Sequence, residues 1–182
     1  MAHLPIWYLG QIPNEECNKA SKEFISIVAK SATMGVEGET IDINNRNTTV
    51  RFAEKNNWFG QNMFQYGMKA NLECKWNFHL TDFEAVQFAE YGVGQHYNWH
   101  IDTFMLSGKG YDRKITVVCL MNDPAEFEGG QLKLRFNRQE YVVPLVKNTV
   151  IAFPSFIEHC VTPVTSGVRY TATMWVNGPE FR

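Results

Sequence analysis

Long apolar runs are missing from this chain. No stretch approaches the roughly 20 apolar residues that a helix needs to span a bilayer. The opening MAHLPIWYLGQIPNEEC has no basic segment leading into an apolar one. These absences exclude a membrane partner and predict a cytoplasmic protein. Cysteine is also scarce: Cys17, Cys74, Cys119 and Cys160 are widely scattered, with no CxxC pair. That spacing excludes a secreted disulfide scaffold and predicts free thiols in a reducing compartment. Charge of one sign is lacking too. With 17 Lys and Arg against 19 Asp and Glu, the formal net charge is −2, which gives a nucleic acid no electrostatic footprint to bind. No internal repeat, low-complexity tract or linker divides the 182 residues, so one domain over 1–182 is expected.

What is present begins with a short apolar strand at Ile6 to Leu9. A helix follows, opening at Pro13-Asn14-Glu15-Glu16, with Asn14 as its cap. Cys17, Ala20, Phe24, Ile27 and Val28 share one helical face, a packing surface for a sheet. Gly35 and Gly38 close this region. Thr40 to Ile43 and Thr48 to Phe52 read as a hairpin around Asn44-Asn45-Arg46. A second helix is predicted from Asn57 to Ala70, burying Trp58, Phe59, Met63 and Tyr66. From Lys75 the period changes to two, in Trp76, Phe78 and Leu80 and again in Val86 and Phe88. Further strands are predicted at Ile101 to Leu106, Ile115 to Met121, Gln131 to Phe136, Glu140 to Val143, Thr149 to Phe153, Glu158 to Thr162 and Arg169 to Val176. Many short strands at this spacing indicate a sandwich or jelly roll.

Four side chains draw attention as chemistry. In an extended chain, His100 and Asp102 project to the same face and can converge on one ion. His159, after the apolar run Val150 to Phe153, is the candidate third ligand. Two imidazoles and a carboxylate on one face of an octahedron leave three positions open, the arrangement of non-haem iron(II) oxygenases. Arg169 follows ten residues after His159. A turn at Thr165 to Val168 is expected to return its strand beside the metal-bearing one, where its planar fork suits a carboxylate. Taken singly, each has an ordinary reading: a structural histidine for His159, a surface ion pair for Arg169.

The run Tyr91-Gly92-Val93-Gly94-Gln95-His96-Tyr97-Asn98-Trp99-His100-Ile101-Asp102 resembles the iron-site entry of the prolyl 4-hydroxylase-like branch of the 2-oxoglutarate oxygenases. Arg113 to Asn122, Asp123-Pro124, Phe127 to Leu132 and His159 to Arg169 are similar to PKHD-type hydroxylases. The resemblance spans roughly Phe83 to Val176, in the family's order. It implies a mainly β fold with flanking helices (α+β), a double-stranded β-helix or jelly roll over 81–182, with 1–80 as helix and strand support. It further implies iron(II) held by His100, Asp102 and His159, and 2-oxoglutarate as co-substrate with its distal carboxylate on Arg169. Oxygen is the second co-substrate, and ascorbate would maintain the ferrous state. Tyr91 and Tyr97 match pocket aromatics, and Thr173 and Trp175 share the face of Arg169 by period two. Some relatives carry a tyrosine co-substrate anchor where this chain has Leu120; Thr116 is the candidate substitute. Gly129-Gly130 reads as a tight turn.

The implied reaction inserts one oxygen atom into an unactivated C–H bond and releases succinate and carbon dioxide. A peptidyl proline is the first expected substrate, with a free amino acid or other small molecule as the alternative. A zinc hydrolase built on His96 and His100 lacks the glutamate after the first histidine, and Gly92 and Gly94 oppose a helix there. A halogenase would need the Asp102 position vacated. A jelly-roll binding module without turnover stays open.

Overall fold

Residues 5–33, 41–105, 108–144 and 146–181 are described by the structure, a computed structural model. In chain order they form β1 (Tyr8–Gln11), α1 (Asn14–Ile25), β2 (Lys30–Ser31), β3 (Arg46–Asn47), β4 (Thr49–Phe52), α2 (Trp58–Glu73), β5 (Asp82–Phe83), β6 (Gln87–Tyr91), β7 (His96–His100) and β8 (Tyr111–Leu120). After a 3-10 turn at Pro124–Glu126 come β9 (Phe127–Gly129), β10 (Leu132–Phe136), β11 (Gln139–Val142), β12 (Thr149–Pro154), β13 (Glu158–Val161), β14 (Val164–Gly167) and β15 (Arg169–Pro179).

A large antiparallel sheet runs in the order β1-β12-β8-β15-β6-β4-β2, with β5 also on β15. A smaller sheet, β11-β10-β13-β7-β3, provides the second layer, and β14 pairs with β9. Strand alternation gives the large sheet two faces. Ile115, Val117 and Cys119 of β8 and Ala172, Met174 and Val176 of β15 join one core with Phe24 of α1 and Phe59 and Met63 of α2. The other face packs Tyr91, Val118, Ile151 and Phe153 against Leu134 and Val161 of the small sheet. Full burial of each large side chain contributes about 1.5–3 kcal/mol, so both layers are strongly held. The result is the expected jelly roll with two covering helices. Strands from the first half extend its edges: β1, β4 and β2 join the large sheet and β3 the small one.

Helix α2 starts on Asn57, whose side chain accepts from Phe59 N at 2.8 Å. Gly67 lets it approach the sheet closely, because a Cβ there would lie 2.9 Å from Val176 Cγ2. Several local expectations are corrected. Helix α1 has Pro13 at its cap position and no side-chain cap; Asn14 instead accepts from Asn148 Nδ2 at 3.0 Å. Val28 is 88% exposed because the helix has already ended. Among the described residues 41–52 the expected hairpin does not form: Arg46–Asn47 pairs with β7 and Thr49–Phe52 with β6, so the chain changes sheet at Thr48. The alternation of Trp76, Phe78 and Leu80 is no strand, since Lys75 and Asn77 take left-handed φ values of 56° and 57° and Asn71 bonds both polar groups of the Phe78 backbone. Residues 101–105 form a loop, held by Asp112 Oδ1 accepting from Thr103 Oγ1, Phe104 N and Met105 N. Gly35, Gly38, Thr40 and Leu106 lie outside the described residues.

Candidate active site

The last residue of β7, His100, is the direct cross-strand partner of His159 on β13. Antiparallel pairing therefore brings the two imidazoles to a ring separation of 4.1 Å. The strand stops there, so Asp102 does not reach the same point by simple alternation. Its backbone N–H donates to Ser155 O at 2.9 Å, which ties the loop to the end of β12 and turns the carboxylate inward. Asp102 Oδ2 then lies 3.2 Å from His159 Nε2, and Oδ1 3.6 Å from His100 Nε2. Adjacent ligands of an octahedral ion with bonds near 2.1 Å stand roughly 3 Å apart, so small shifts suit this set to one cation. All three ligand atoms lie within 4.8 Å of one another.

The surroundings set the protonation needed for coordination. His100 Nδ1 lies 2.7 Å from Asn98 O and His159 Nδ1 3.0 Å from Ile157 O. A carbonyl only accepts, so each Nδ1 carries the hydrogen and each Nε2 keeps its lone pair for the common point. Thr116 Oγ1 donates to Asp102 Oδ2 at 2.8 Å and lies 3.0 Å from Ser155 Oγ. Burial opposes ionisation of Asp102, yet the imidazoles of His159 and His100 hold its carboxyl well below the ordinary range. Burial lowers His100, helped by His159, whereas the Asp102 carboxylate raises His159 against its own burial. The donor set fits a divalent transition metal: two neutral nitrogens, one anionic oxygen, and an open side.

That open side faces a narrow recess of about 40 Å³ lined by Tyr91, Tyr97, Thr116, Arg169, Thr171, Thr173 and Trp175 along with the three candidate ligands. The nine candidate metal, co-substrate and pocket residues, His100, Asp102, His159, Arg169, Tyr91, Thr116, Thr173, Tyr97 and Trp175, all line this recess. Arg169 arrives by a different route from the expected one. Its strand, β15, belongs to the large sheet and not to the sheet of His159, because the intervening β14 peels away to pair with β9. Arg169 therefore faces the triad from across the barrel. It is 2% exposed, its Nε is buried without a hydrogen-bond partner, and among the described residues no carboxylate meets it. Its guanidinium sits 5.4 Å from the Tyr91 ring. Burial lowers its pKa to about 10, which leaves it cationic at neutral pH.

Gly130 makes room for this arginine. A Cβ there would stand 2.8 Å from Arg169 Cδ, and its φ is +58°. Tyr97 stacks on His100, with centroids 3.5 Å apart and planes 13° from parallel. Burial pushes the Tyr97 phenol up to about 12, so it stays neutral. Leu120 and Val118 wall the aliphatic side near Arg169. Thr116 touches the Asp102 carboxylate, a contact that sequence reasoning did not anticipate.

A wider cleft of about 440 Å³ opens outside the recess and shares Arg46, Gln87, Tyr97, Asp102 and Trp175 with it. Its walls include Glu84, Phe104, Tyr111 and Arg113. Arg113 forms a bidentate pair with Glu84, at 2.7 and 2.6 Å, and lies 3.8 Å from the Trp175 ring. Sequence reasoning missed this outer set. Arg46 sat in a segment read as a polar hairpin turn, and nothing local marks its contact with Tyr97. No helix among the described residues is long and apolar enough to cross a membrane, and all four cysteines are buried thiols.

The sequence model of the 2OG-Fe(II) oxygenase superfamily matches residues 86–177, half of the chain, and the chain belongs to this superfamily. It is similar to PKHD-type hydroxylases, with 33% identity over 92 residues to one from Gloeothece citriformis (50% of this chain, 42% of the relative). A second, from Picosynechococcus, is 36% identical over 89 residues (49% and 40%). The chain thus spans about two fifths of the length of the curated relatives it matches. Among solved structures, it resembles a Pseudomonas putida prolyl-4-hydroxylase with a TM-score of 0.68 at 20% identity, covering 95% of this chain and 93% of that one. The viral collagen prolyl hydroxylase of Paramecium Bursaria Chlorella virus-1 gives a TM-score of 0.70 at 19% identity, covering 96% and 97%. These similarities establish the fold.

Proposed function

We propose that the chain is an iron(II)- and 2-oxoglutarate-dependent oxygenase acting as one catalytic unit, with a peptidyl proline as its first candidate substrate. The observation that carries this reading is a buried arginine, with no carboxylate partner among the described residues, that lines one small recess with three side chains able to hold one cation. A buried unpaired charge is costly. A dianionic ligand long enough to reach from the metal to Arg169 offsets that cost, and 2-oxoglutarate has this chemistry. His100, Asp102 and His159 would hold the iron, and Arg169 would take the distal carboxylate by two parallel hydrogen bonds.

When bound, iron with 2-oxoglutarate and oxygen supplies coupled chemistry: the oxoacid is decarboxylated to succinate and carbon dioxide, and a substrate C–H becomes C–OH. The protein's own work is placement. The carbonyls of Asn98 and Ile157 fix both imidazoles, Thr116 fixes one carboxylate oxygen, Tyr91 lies beside Arg169, Thr173 lines the recess, and Trp175 lines both the recess and the outer cleft. The outer cleft, with Tyr97 and Trp175 at its inner end, receives the substrate. Peptidyl proline is proposed because prolyl hydroxylases share the fold, including one from Trichoplax adhaerens solved with a hypoxia inducible factor peptide (TM-score 0.67, 18% identity). A reducing cytoplasm would suit the four thiols.

Anaerobic titration of the protein with ferrous iron and 2-oxoglutarate tests the core of the proposal. The visible charge-transfer band of the chelate is expected, and it should vanish in Asp102→Ala. With oxygen, ascorbate and proline-containing peptides, succinate should form together with a +16 Da product. No band in the native protein would remove the reading; a band without any peptide product would remove only the substrate.

A further inference from the structure

Arg46 repeats at the mouth of the recess what Arg169 does at its inner end. Both are buried, at 9% and 2% exposure. Each has a buried Nε lacking a hydrogen-bond partner, and neither meets a carboxylate among the described residues. The neighbouring arginines differ in the carboxylate: Arg113 is closed on Glu84, and Arg51, which shares the unpartnered Nε, is closed on Glu90. Arg46 is also well fixed. Nη1 donates to Thr33 O at 3.0 Å, Nη2 to Gln87 Oε1 at 2.9 Å, and the guanidinium lies 4.6 Å from the Tyr97 ring. Tyr97 in turn stacks on His100, so a single ring links Arg46 to a candidate ligand. A guanidinium has five N–H donors, and neutral acceptors use only two of these.

We infer that Arg46 receives a carboxylate of the substrate, so that the outer cleft selects an anionic molecule. The inference rests on the oxygenase reading above and narrows its substrate class. Both carboxylates of 2-oxoglutarate are already assigned, to the metal and to Arg169. Arg46 lines the outer cleft, which Arg169 does not. A planar guanidinium lining a cavity, with donors beyond the two that its neutral partners take, has the chemistry that recognises a carboxylate. The source is either the α-carboxylate of a small amino-acid derivative or the side chain of an acidic residue beside the reacting one.

Matched acids and amides test this. N-acetyl-L-proline is compared with N-acetyl-L-prolinamide, and the blocked tripeptide Ac-Ala-Pro-Asp-NH2 with Ac-Ala-Pro-Asn-NH2, so the two pairs separate the two sources. Binding to the anaerobic iron and 2-oxoglutarate complex is read as a shift of its charge-transfer band, which needs no turnover. In at least one pair the acid should bind about tenfold tighter or better, the equivalent of roughly 1.4 kcal/mol. Arg46→Gln should erase that preference while the band itself still forms, and Arg46→Lys, which keeps the charge without the fork, should retain part of it. If no acid binds more tightly than its amide, the inference fails; it also fails if the preference survives in Arg46→Gln. Should Gln prevent folding, a Lys variant with undiminished acid preference overturns the fork. A missing band in the native protein sinks the oxygenase reading alone. Acid preference is then scored by tryptophan fluorescence, Trp175 lying in the same cleft, with the same outcomes deciding.

Discussion

Thr116→Val separates two roles for one hydroxyl. The sequence made Thr116 a candidate co-substrate anchor, whereas in the fold its Oγ1 donates to Asp102 Oδ2 at 2.8 Å and meets Ser155 Oγ at 3.0 Å, fully buried. Valine keeps the branched shape and removes the donor. A hydrogen bond to a charged group contributes about 1.5–3 kcal/mol, and leaving the Ser155 hydroxyl unpaired costs a further 1–3 kcal/mol or so. The metal-free variant should therefore lose stability on that scale in urea unfolding, and Thr116→Val with Ser155→Ala should recover the second part. With the carboxylate free to turn, metal affinity should fall roughly 10- to 100-fold, the usual effect of removing a ligand's orienting partner. Anaerobic calorimetric titration with Mn(II) measures it, and Thr116→Ser should restore most of the affinity. Unchanged Mn(II) affinity with a raised KM for 2-oxoglutarate would refute the positioning role and return Thr116 to the co-substrate.

Arg169→Ala should raise the 2-oxoglutarate KM about 10- to 100-fold, in line with the loss of charge-assisted hydrogen bonds, with metal affinity little changed; steady-state succinate assays against titration with Mn(II) separate the two. Gly130→Ala should shift KM in the same direction without touching any ligand, because the added methyl falls 2.8 Å from Arg169 Cδ at a left-handed φ; a normal KM would show that Arg169 has room to move. Asp112→Asn concerns the loop that carries Asp102. Burial opposes ionisation of Asp112, but hydrogen bonds from Thr103, Phe104, Phe181 and Met105 outweigh it and hold the carboxyl below its ordinary value. A depressed folded pKa means that the stabilisation is complete above the unfolded value of about 4 and drains away as pH falls through the lower folded value. The variant should be about 1–2 kcal/mol less stable than the native protein at pH 7, and thermal scans below pH 4 should bring the two together; a gap that widens in acid would contradict this.

The core strands were legible because both faces of the large sheet are buried. The expected strands Ile115 to Met121 and Arg169 to Val176 therefore fall on β8 and β15, though β8 begins four residues earlier, at Tyr111, and β15 ends three later, at Pro179. The Trp76, Phe78 and Leu80 alternation misled for a physical reason. Left-handed backbone at Lys75 and Asn77 turns the chain between residues, so spacing two apart no longer means one sheet face. Likewise the break between β3 and β4 depends on which sheet each strand finds, Arg46 on Tyr97 and Thr49 on Glu90, and partners that distant leave no local mark.

The same distinction separates the parts of the site. The proposed holders of an iron and a co-substrate are of few chemical types at constrained spacing, so His100, Asp102, His159 and Arg169 could be singled out as candidates before any fold was known. Those that act on them are ordinary in type: a threonine on Asp102, two backbone carbonyls on the imidazoles, a glycine beneath Arg169. Arg46 falls between these cases. Its chemistry is that of Arg169, a cation with donors to spare, but its neighbours in sequence are the polar residues of a turn and its neighbours in space come from β6 and β7. The substrate site proposed on Arg46, an arginine of β3 laid against β6 and β7, could change its ligand by altering β3 while the candidate metal ligands stay as they are. Under that proposal, specificity would vary independently of the oxidative chemistry.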